Sequence, residues 1–428
     1  AGAVRGVVVG EPAADLVAVR DRVAEVRATV ALVGQVRVPG EAGFVLLTRE
    51  VALERLLVSA LGSPELSAFV DSQLGAVLEY DARRRRGLLP TVEAYLGTGG
   101  NKLATAAALG VQRQTLYDRL ARLESLLGLD LVAPVGLAPI GVQNIVHTDG
   151  ELATARGAAA VGVPMCAGTV AAHTMEEIAT ELGDTPRMFQ LYWPNEPELA
   201  ESFLRRAEAA GYGAVVVTVD NAFPGWKPRD LQNAYLPFLD GEGLANFFAD
   251  PVFRDSLDAP PEEDVGAAVG RFVGVFGNPA LTWNDLDWLR AETSLPIILK
   301  GVLHADDARE ARERGIDGIA VSNHGGRQVD GAIAAIDALP AVADAVGDEL
   351  AILFDSGIRS GADAVKALAL GADAVLLGRP YLWGLALEGA EGVEKVLRHL
   401  LAELDLTMAL SGCTSPSQLE PGMLTRRD

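Results

Sequence analysis

The chain has 428 residues, of which 49% are hydrophobic, enough to build more than one domain core. Its formal net charge of -22 excludes a protein whose whole surface binds nucleic acid or anionic membrane, because either partner would be repelled. Two distant cysteines, Cys166 and Cys413, exclude a disulfide framework. No signal peptide is evident, and no apolar stretch reaches the roughly 20 residues that a membrane helix needs, so we expect a cytoplasmic protein without membrane contact.

The N-terminal segment, residues 1–52, contains two short apolar runs that predict strands. These runs are VRGVVVGEP and GFVLLTRE. We interpret the segment as the remnant of a small α/β domain that precedes a helical region.

The region 88–131 has the ingredients of a helix-turn-helix. NKLATAAALG predicts a short helix of small residues, a turn follows at Gly110 and Val111, and a longer helix begins at about Gln112. Between Asp81 and Leu131 there are eight Lys and Arg against five Asp and Glu, a local net charge of +3 that suits a phosphate backbone. An ordinary antiparallel helix pair with a solvated face is the alternative.

The side chains that such a recognition helix would present to the major groove are polar. They are Gln112, Arg113, Gln114 and Tyr117. The stretch 53–131, which includes SPELSAFVDSQLGAVLEYDARRRRGLLPTVEAYL, resembles the C-terminal end of PucR-type transcriptional regulators. The resemblance implies a mainly helical segment that binds DNA through 88–131.

From about Leu131 onward, short runs rich in Val, Ile and Leu alternate with longer stretches of helical period. Eight such runs can be counted, and they lie at 133–142, 163–168, 187–192, 214–220, 296–301, 317–323, 350–357 and 373–379. Continuous apolar strands with intervening helices predict a parallel sheet that is buried on both faces. Because eight strands close a (β/α)8 TIM barrel, we predict that fold for 132–428, preceded by the smaller, mainly helical domain.

In such a barrel the chemistry lies at the carboxyl ends of the strands, so polar residues that end the runs are candidates. They are Gln190, Tyr192, Thr218, Asp220, Lys300, Asn323, His324, Asp355, Gly378 and Arg379. A structural role is the better interpretation of any one of them alone. Their joint occurrence favours a site, because so many polar groups would be costly to desolvate for structure alone.

The stretch VSNHGGRQVDG combines a base, a fixed cation and flexible backbone. The imidazole of His324 suits a proton acceptor at neutral pH, and the planar guanidinium of Arg327 can bind a carboxylate through two hydrogen bonds. Gly325 and Gly326 allow close approach to a flat ligand. These groups predict oxidation of a 2-hydroxy acid, and the two electrons require a cofactor because no side chain accepts them.

Arginines and glycines follow the last two predicted strands, where barrel enzymes commonly bind phosphate. They are Gly357, Arg359, Gly361, Gly378 and Arg379. A mononucleotide phosphate fits this composition. Lys300 could place a positive charge beside a flavin that becomes anionic on reduction, or it could be a structural ion-pair partner.

These motifs, with APIGVQ, FQLYWP and VTVDNAFPGWKPRDLQNAYLPF, resemble the FMN-dependent 2-hydroxy-acid oxidoreductases over about 131–428. Within that family they are most similar to the lactate 2-monooxygenase and lactate oxidase branch. The resemblance implies a catalytic base (His324), a carboxylate that orients it (Asp220), and substrate contacts (Arg327, Arg229 and Tyr192). It also implies flavin contacts by Gln190, Thr218 and Lys300, and a ribityl phosphate surrounded by Asp355, Gly357, Arg359, Gly378 and Arg379.

Two departures from the family pattern bear on cofactor and substrate binding. Gly168 stands where the family usually has a serine that contacts the flavin, and Ala171 and Ala172 replace further polar positions. The N-terminal segment by which the family adds an active-site tyrosine and covers the barrel floor has no counterpart before Leu131. We therefore expect weaker flavin binding and weaker substrate anchoring than in the family.

Together these observations predict FMN-dependent oxidation of a small 2-hydroxy acid, L-lactate foremost, with molecular oxygen as co-substrate. We expect a homo-oligomer and no metal site. Two alternatives remain from the sequence: a transcriptional regulator whose barrel senses flavin or a hydroxy acid, and an inactive fusion.

Overall fold

The computed structural model describes residues 6–9, 44–47, 74, 77, 78, 88–97, 105, 108, 109, 132–223 and 225–425. The chain divides into two compact units, Ala1–Asp130 and Leu131–Asp428. In the first unit, the parallel strands β1 (Gly6–Val9) and β2 (Phe44–Leu47) fall on the two predicted apolar runs, and α1 spans Leu89–Gly97. The four residues assigned to DNA contact, Gln112, Arg113, Gln114 and Tyr117, lie outside the described residues.

The second unit is built on eight parallel strands that close into a barrel. The strands are β3 (Val135–Leu137), β4 (Met165–Gly168), β5 (Arg187–Leu191), β6 (Val215–Thr218), β7 (Ile297–Val302), β8 (Gly318–Val321), β9 (Ala351–Phe354) and β10 (Ala374–Leu377). The last strand pairs with the first, with Val375 opposite Val135. Seven strands fall within the predicted runs and β7 extends one residue beyond its run, to Val302, so the predicted (β/α)8 barrel is confirmed.

Helices connect the strands and cover the barrel. They are α2 (Gly150–Ala159), α3 (Met175–Leu182), α4 (Pro197–Ala209), α5 (Pro228–Asn233), α6 (Ala245–Phe248), α7 (Pro251–Asp255), α8 (Val265–Val275), α9 (Asp285–Glu292), α10 (Ala305–Glu313), α11 (Ala335–Val346), α12 (Gly361–Ala369) and α13 (Arg379–Leu410). Local sequence sets several starts. Thr174 and Glu177 form a reciprocal capping box at α3, and the Ser360 side chain caps α12.

The main core lies between the strands and the surrounding helices, where large side chains such as Phe189 and Phe203 are fully buried. Smaller buried side chains, among them Cys166, Val216 and Ala320, form a separate cluster. Because the strands are apolar along their length, their polar side chains gather where each strand ends. Among the described residues, no helix is long and apolar enough to cross a membrane.

Candidate active site

A cavity of about 420 Å³ collects most of the predicted site residues at the carboxyl ends of the strands. Nine of them line it: Tyr192, Lys300, His324, Arg327, Asp355, Gly357, Arg359, Gly378 and Arg379. Four others do not line this cavity: Gln190, Thr218, Asp220 and Arg229. Of these four, Asp220 contacts His324 directly, and Gln190 and Thr218 contact each other on neighbouring strands.

The imidazole of His324 and the carboxylate of Asp220 form a close pair across the ends of β8 and β6. His324 Nδ1 lies 2.9 Å from Asp220 Oδ1. A carboxylate accepts hydrogen bonds, so we assign the proton to Nδ1, which leaves Nε2 as the acceptor of the ring. The pair has the arrangement of a base and the carboxylate that orients it and stabilises its protonated form.

Two cations approach the cavity from different loops. Arg327 follows His324 in the turn after β8, and Lys227 lies in the loop after β6, just before α5. Burial and the positive charge of Arg327 lower the pKa of Lys227. An anionic group placed between them would relieve this repulsion, as a substrate carboxylate does.

Arg229, the predicted second substrate cation, is exposed and does not line the cavity. It follows Pro228 in the first turn of α5, a helix with no buried residues. Lys227 occupies the cavity side instead and was missed by the sequence analysis. Both residues stand in the same PGWKPRD motif, so spacing alone could not tell which of the two faces inward.

Lys300 and Asp355 form a buried ion pair at the ends of β7 and β9. Lys300 Nζ lies 3.0 Å from Asp355 Oδ2, and the residues are 4% and 6% exposed. Burial opposes both charges, but their mutual attraction outweighs it: the pKa of Lys300 is raised and the pKa of Asp355 is lowered. The predicted charge of Lys300 and its alternative role as an ion-pair partner are therefore compatible.

A layer of polar side chains lies on the strands between these groups. Gln190 Nε2 donates to Thr218 Oγ1 at 3.0 Å, and the Thr169 amide donates to Gln190 Oε1 at 3.3 Å. Gly168 adjoins this layer, and a Cβ added there would lie 3.5 Å from Gln190 Oε1, an ordinary contact. The backbone at Gly168 therefore has room for a Cβ.

Tyr192, which follows β5, lines the same cavity. Its ring packs edge-on against Phe276, with the ring centroids 5.5 Å apart. Burial raises the pKa of Tyr192, so the phenol stays protonated at neutral pH and can donate a hydrogen bond.

The cavity residues that follow β9 and β10 are suited to an anion. Gly357 has a φ of 121°, and a Cβ added there would meet open space. Arg359 lies over the Trp383 ring at 5.8 Å, and Arg379 begins α13 and donates to the Gly325 carbonyl at 3.2 Å. Two guanidinium groups and a helix N-terminus fit the phosphate of a mononucleotide.

Comparisons with known proteins agree with this geometry. The sequence profile of the FMN-dependent dehydrogenases matches residues 119–426, and the PucR C-terminal helix-turn-helix domain matches residues 88–142. The two matches overlap over 119–142. Both predicted resemblances are thereby confirmed.

Similar proteins include oxidases of several 2-hydroxy acids. The L-lactate oxidase of Lysinibacillus sphaericus is 43% identical over 71% of this chain and 78% of its own length. Human 2-hydroxyacid oxidase 1 is 37% identical over 83% of this chain and 97% of its own length. A crystal structure of mandelate oxidase is 40% identical over 66% of this chain and 76% of that chain, with a TM-score of 0.58.

The profile match covers most of the chain, and the cavity is lined by an imidazole, by the cations Arg327 and Lys227, and by the two arginines that follow β9 and β10. The protein therefore belongs to the FMN-dependent dehydrogenase family, which includes the 2-hydroxy-acid oxidases, and FMN is its cofactor.

Proposed function

We propose that the protein oxidises L-lactate, with FMN as the electron acceptor and molecular oxygen as the final oxidant, in a reaction of the lactate oxidase or lactate 2-monooxygenase type. The observation that carries the proposal is the His324–Asp220 pair at 2.9 Å beside two cations in one cavity. A base and a carboxylate-binding pair are the groups that oxidation of a 2-hydroxy acid requires.

Arg327 binds the substrate carboxylate through its planar fork, and Lys227 adds a second positive charge. Tyr192 donates a hydrogen bond to the substrate. Nε2 of His324 accepts a proton from the substrate, and Asp220 stabilises the imidazolium that forms. Arg229, which the resemblance placed with Arg327, is assigned no contact in this arrangement.

FMN supplies the two-electron acceptor of the reaction. Gln190, Thr218 and Lys300 would hold the flavin ring, and the positive charge of Lys300 would favour its electron-rich form. The phosphate end would be held by the groups after β9 and β10. These are Asp355, Gly357, Arg359, Gly378 and Arg379. Asp355 would act there through its ion pair with Lys300.

Aliphatic side chains in the cavity favour a substrate with an apolar substituent. Ile140, Val170 and Leu236 line the cavity together with the two cations. A methyl group gains from burial against such side chains, whereas the hydrogen of glycolate gains nothing there. The similarity to L-lactate oxidase supports the same choice.

The test is anaerobic reduction of the FMN-loaded protein by L-lactate, glycolate or mandelate. The reduction is monitored as the loss of visible flavin absorption. We expect the highest kcat/KM with L-lactate. A tenfold preference for glycolate or mandelate would show that this acid, and not L-lactate, is the preferred substrate. Absence of flavin bleaching with all three acids would overturn the proposed oxidation. Under air, pyruvate with hydrogen peroxide indicates an oxidase, and acetate with carbon dioxide a monooxygenase.

The match to the PucR domain favours a second function. We propose that 88–131 binds DNA through Gln112, Arg113, Gln114 and Tyr117. DNA selected from a random pool should bind the full chain, and Arg113→Ala should weaken it while leaving lactate oxidation intact. Unchanged DNA affinity in Arg113→Ala would count against this recognition helix. A change in DNA affinity of more than about tenfold on adding lactate would favour a regulator whose barrel senses the hydroxy acid.

A further inference from the structure

The turn that carries His324 is fixed by two serine hydroxyls. The amide of His324 donates to Ser322 Oγ at 3.0 Å. The amides on either side, of Asn323 and Gly325, both donate to Ser356 Oγ at 3.1 and 3.0 Å. Three consecutive backbone N–H groups therefore donate to side-chain oxygens. Two of the three donate to a single hydroxyl, that of Ser356 in the loop after β9.

The hydroxyl of Ser356 is oriented for this task. It donates its proton to Asp355 Oδ1 at 2.6 Å. A serine hydroxyl has one proton and two lone pairs, so donation to Asp355 leaves both lone pairs for the two amides. Asp355 is itself held by Lys300 at 3.0 Å, so the buried ion pair supports the turn through Ser356.

The backbone of Ser356 adopts a conformation that favours glycine. Its φ is 77°, and His324 has a φ of 57°. Such conformations cost free energy in residues other than glycine and persist where the surroundings hold them. A glycine at this position would relieve the strain but would lose the hydroxyl.

We propose that Ser356 is a positioning residue that fixes the His324 turn, so that the imidazole keeps its bond to Asp220 and its place in the cavity. The inference rests on the proposed role of His324 as base. Ser356, which also lines the cavity, acts through the backbone amides on either side of the base.

Two variants separate the hydroxyl from the backbone. Ser356→Gly removes the hydroxyl and relieves the strain, whereas Ser356→Ala removes the hydroxyl and keeps the strain. Ser202→Ala is the matched control, because the hydroxyl of Ser202 likewise donates to a carboxylate, Asp250 at 2.8 Å, but on the outer helices.

The first measurement needs no substrate. Hydrogen–deuterium exchange of the FMN-loaded protein is followed in the peptide that covers Val321–Gly331. Both Ser356 variants should exchange faster in this peptide than the unaltered protein, because two amides lose their acceptor. The Ser202→Ala control should leave the peptide unchanged. Unchanged exchange in Ser356→Gly would overturn the proposed clamp.

The second measurement is the rate of flavin reduction at saturating L-lactate. Both variants should be slower by about tenfold to a hundredfold, the loss expected from a small misplacement of a reacting group, with KM changed much less. The thermal midpoint of Ser356→Gly should stay at or above that of Ser356→Ala. Ser356→Gly that reduces flavin as fast as the unaltered protein would overturn the positioning role. If the unaltered protein did not oxidise L-lactate, the proposed function would be refuted. The exchange measurement would still test whether Ser356 holds the His324 turn.

Discussion

The turn after β8 and the loop after β6 both bring charged groups to the cavity, but they are held in different ways. The β8 turn, 322–327, is fixed through its backbone by hydroxyls that a buried ion pair orients. The β6 loop, 219–239, exposes large apolar side chains, with Phe223 67% and Trp226 81% exposed, and its helix α5 buries none. The proposed base, His324, therefore lies on a rigidly held turn, whereas Lys227 and Arg229 lie on a weakly packed loop.

Gln328 joins the two segments. Its Nε2 donates to the Asp220 carbonyl and to Asn221 Oδ1, both at 2.7 Å, and its Oε1 accepts from the Gly225 amide at 3.1 Å. These bonds hold only the first residues of the β6 loop. Asp220 thus shares the rigidity of the β8 turn, and the loop beyond Gly225 does not. The difference predicts that damage to the β8 turn lowers kcat, whereas damage to the β6 loop raises KM.

The largest effect is expected from the rigid side. His324→Gln removes the proton acceptor and little else, so FMN should stay bound while turnover falls by several powers of ten. The measurement is stopped-flow reduction by L-lactate together with the visible flavin spectrum. Turnover within tenfold of the unaltered protein would show that another group takes the proton.

Lys227, the proposed substrate cation on the weakly packed β6 loop, should give the next largest effect. Lys227→Met keeps a similar length and removes the charge, so the KM for L-lactate should rise by about tenfold or more, since a charged hydrogen bond to the carboxylate is lost. Arg229→Gln is the matched control and should change KM by less than about twofold. If Arg229→Gln raised KM more than Lys227→Met did, Arg229 would be the second substrate cation and Lys227 would lie outside the substrate contacts.

The sequence predicts the barrel and the chemistry of the β8 turn, but it does not predict how the turn is held. The alternation of apolar runs and helices predicts all eight strands, and the motif around His324 predicts that His324 and Arg327 lie at one site, where both line the cavity. Lys227 was missed because the direction of the helix that Pro228 begins depends on tertiary packing. That helix places Arg229 on the outside and leaves Lys227 beside the cavity. Ser356 and Gln328 act through the backbone of another loop, and no local pattern reveals such contacts. The predicted DNA contacts stay predictions.

A moderate effect is expected where the two segments meet. Gln328→Leu removes the bonds to Asp220, Asn221 and Gly225, so the β6 loop should loosen and the KM for L-lactate should rise about three- to tenfold, with a smaller change in kcat. Gln328→Glu is the more conservative variant. It keeps the shape of the side chain but replaces the amide donor by a carboxylate oxygen, which would face two oxygen acceptors. If both variants lowered kcat with KM unchanged, the link would serve Asp220 and not the loop.

The smallest effect concerns the loop after β4, which is also anchored by a buried carboxylate. Glu151 accepts from the amides of Gln143 and Ala172 and lies 3.3 Å from His173 Nδ1. The hydrogen bond to Glu151 raises the pKa of His173 above its ordinary value. A raised folded-state pKa means that the pair stabilises the fold fully at pH below the ordinary histidine value, about 6.5, and that this stabilisation disappears as pH rises through the folded pKa.

His173→Gln should therefore lower the free energy of unfolding by less than about 1 kcal/mol at pH 5.5, since the imidazole is partly exposed, and by a smaller amount at pH 8.5. The measurement is denaturant unfolding of the FMN-saturated protein at several pH values. His399→Gln, which changes an exposed histidine on α13, should show no such trend. A deficit that grows with pH would contradict the sign of the linkage. A deficit of several kcal/mol at every pH would instead show that His173 supports the fold independently of its charge.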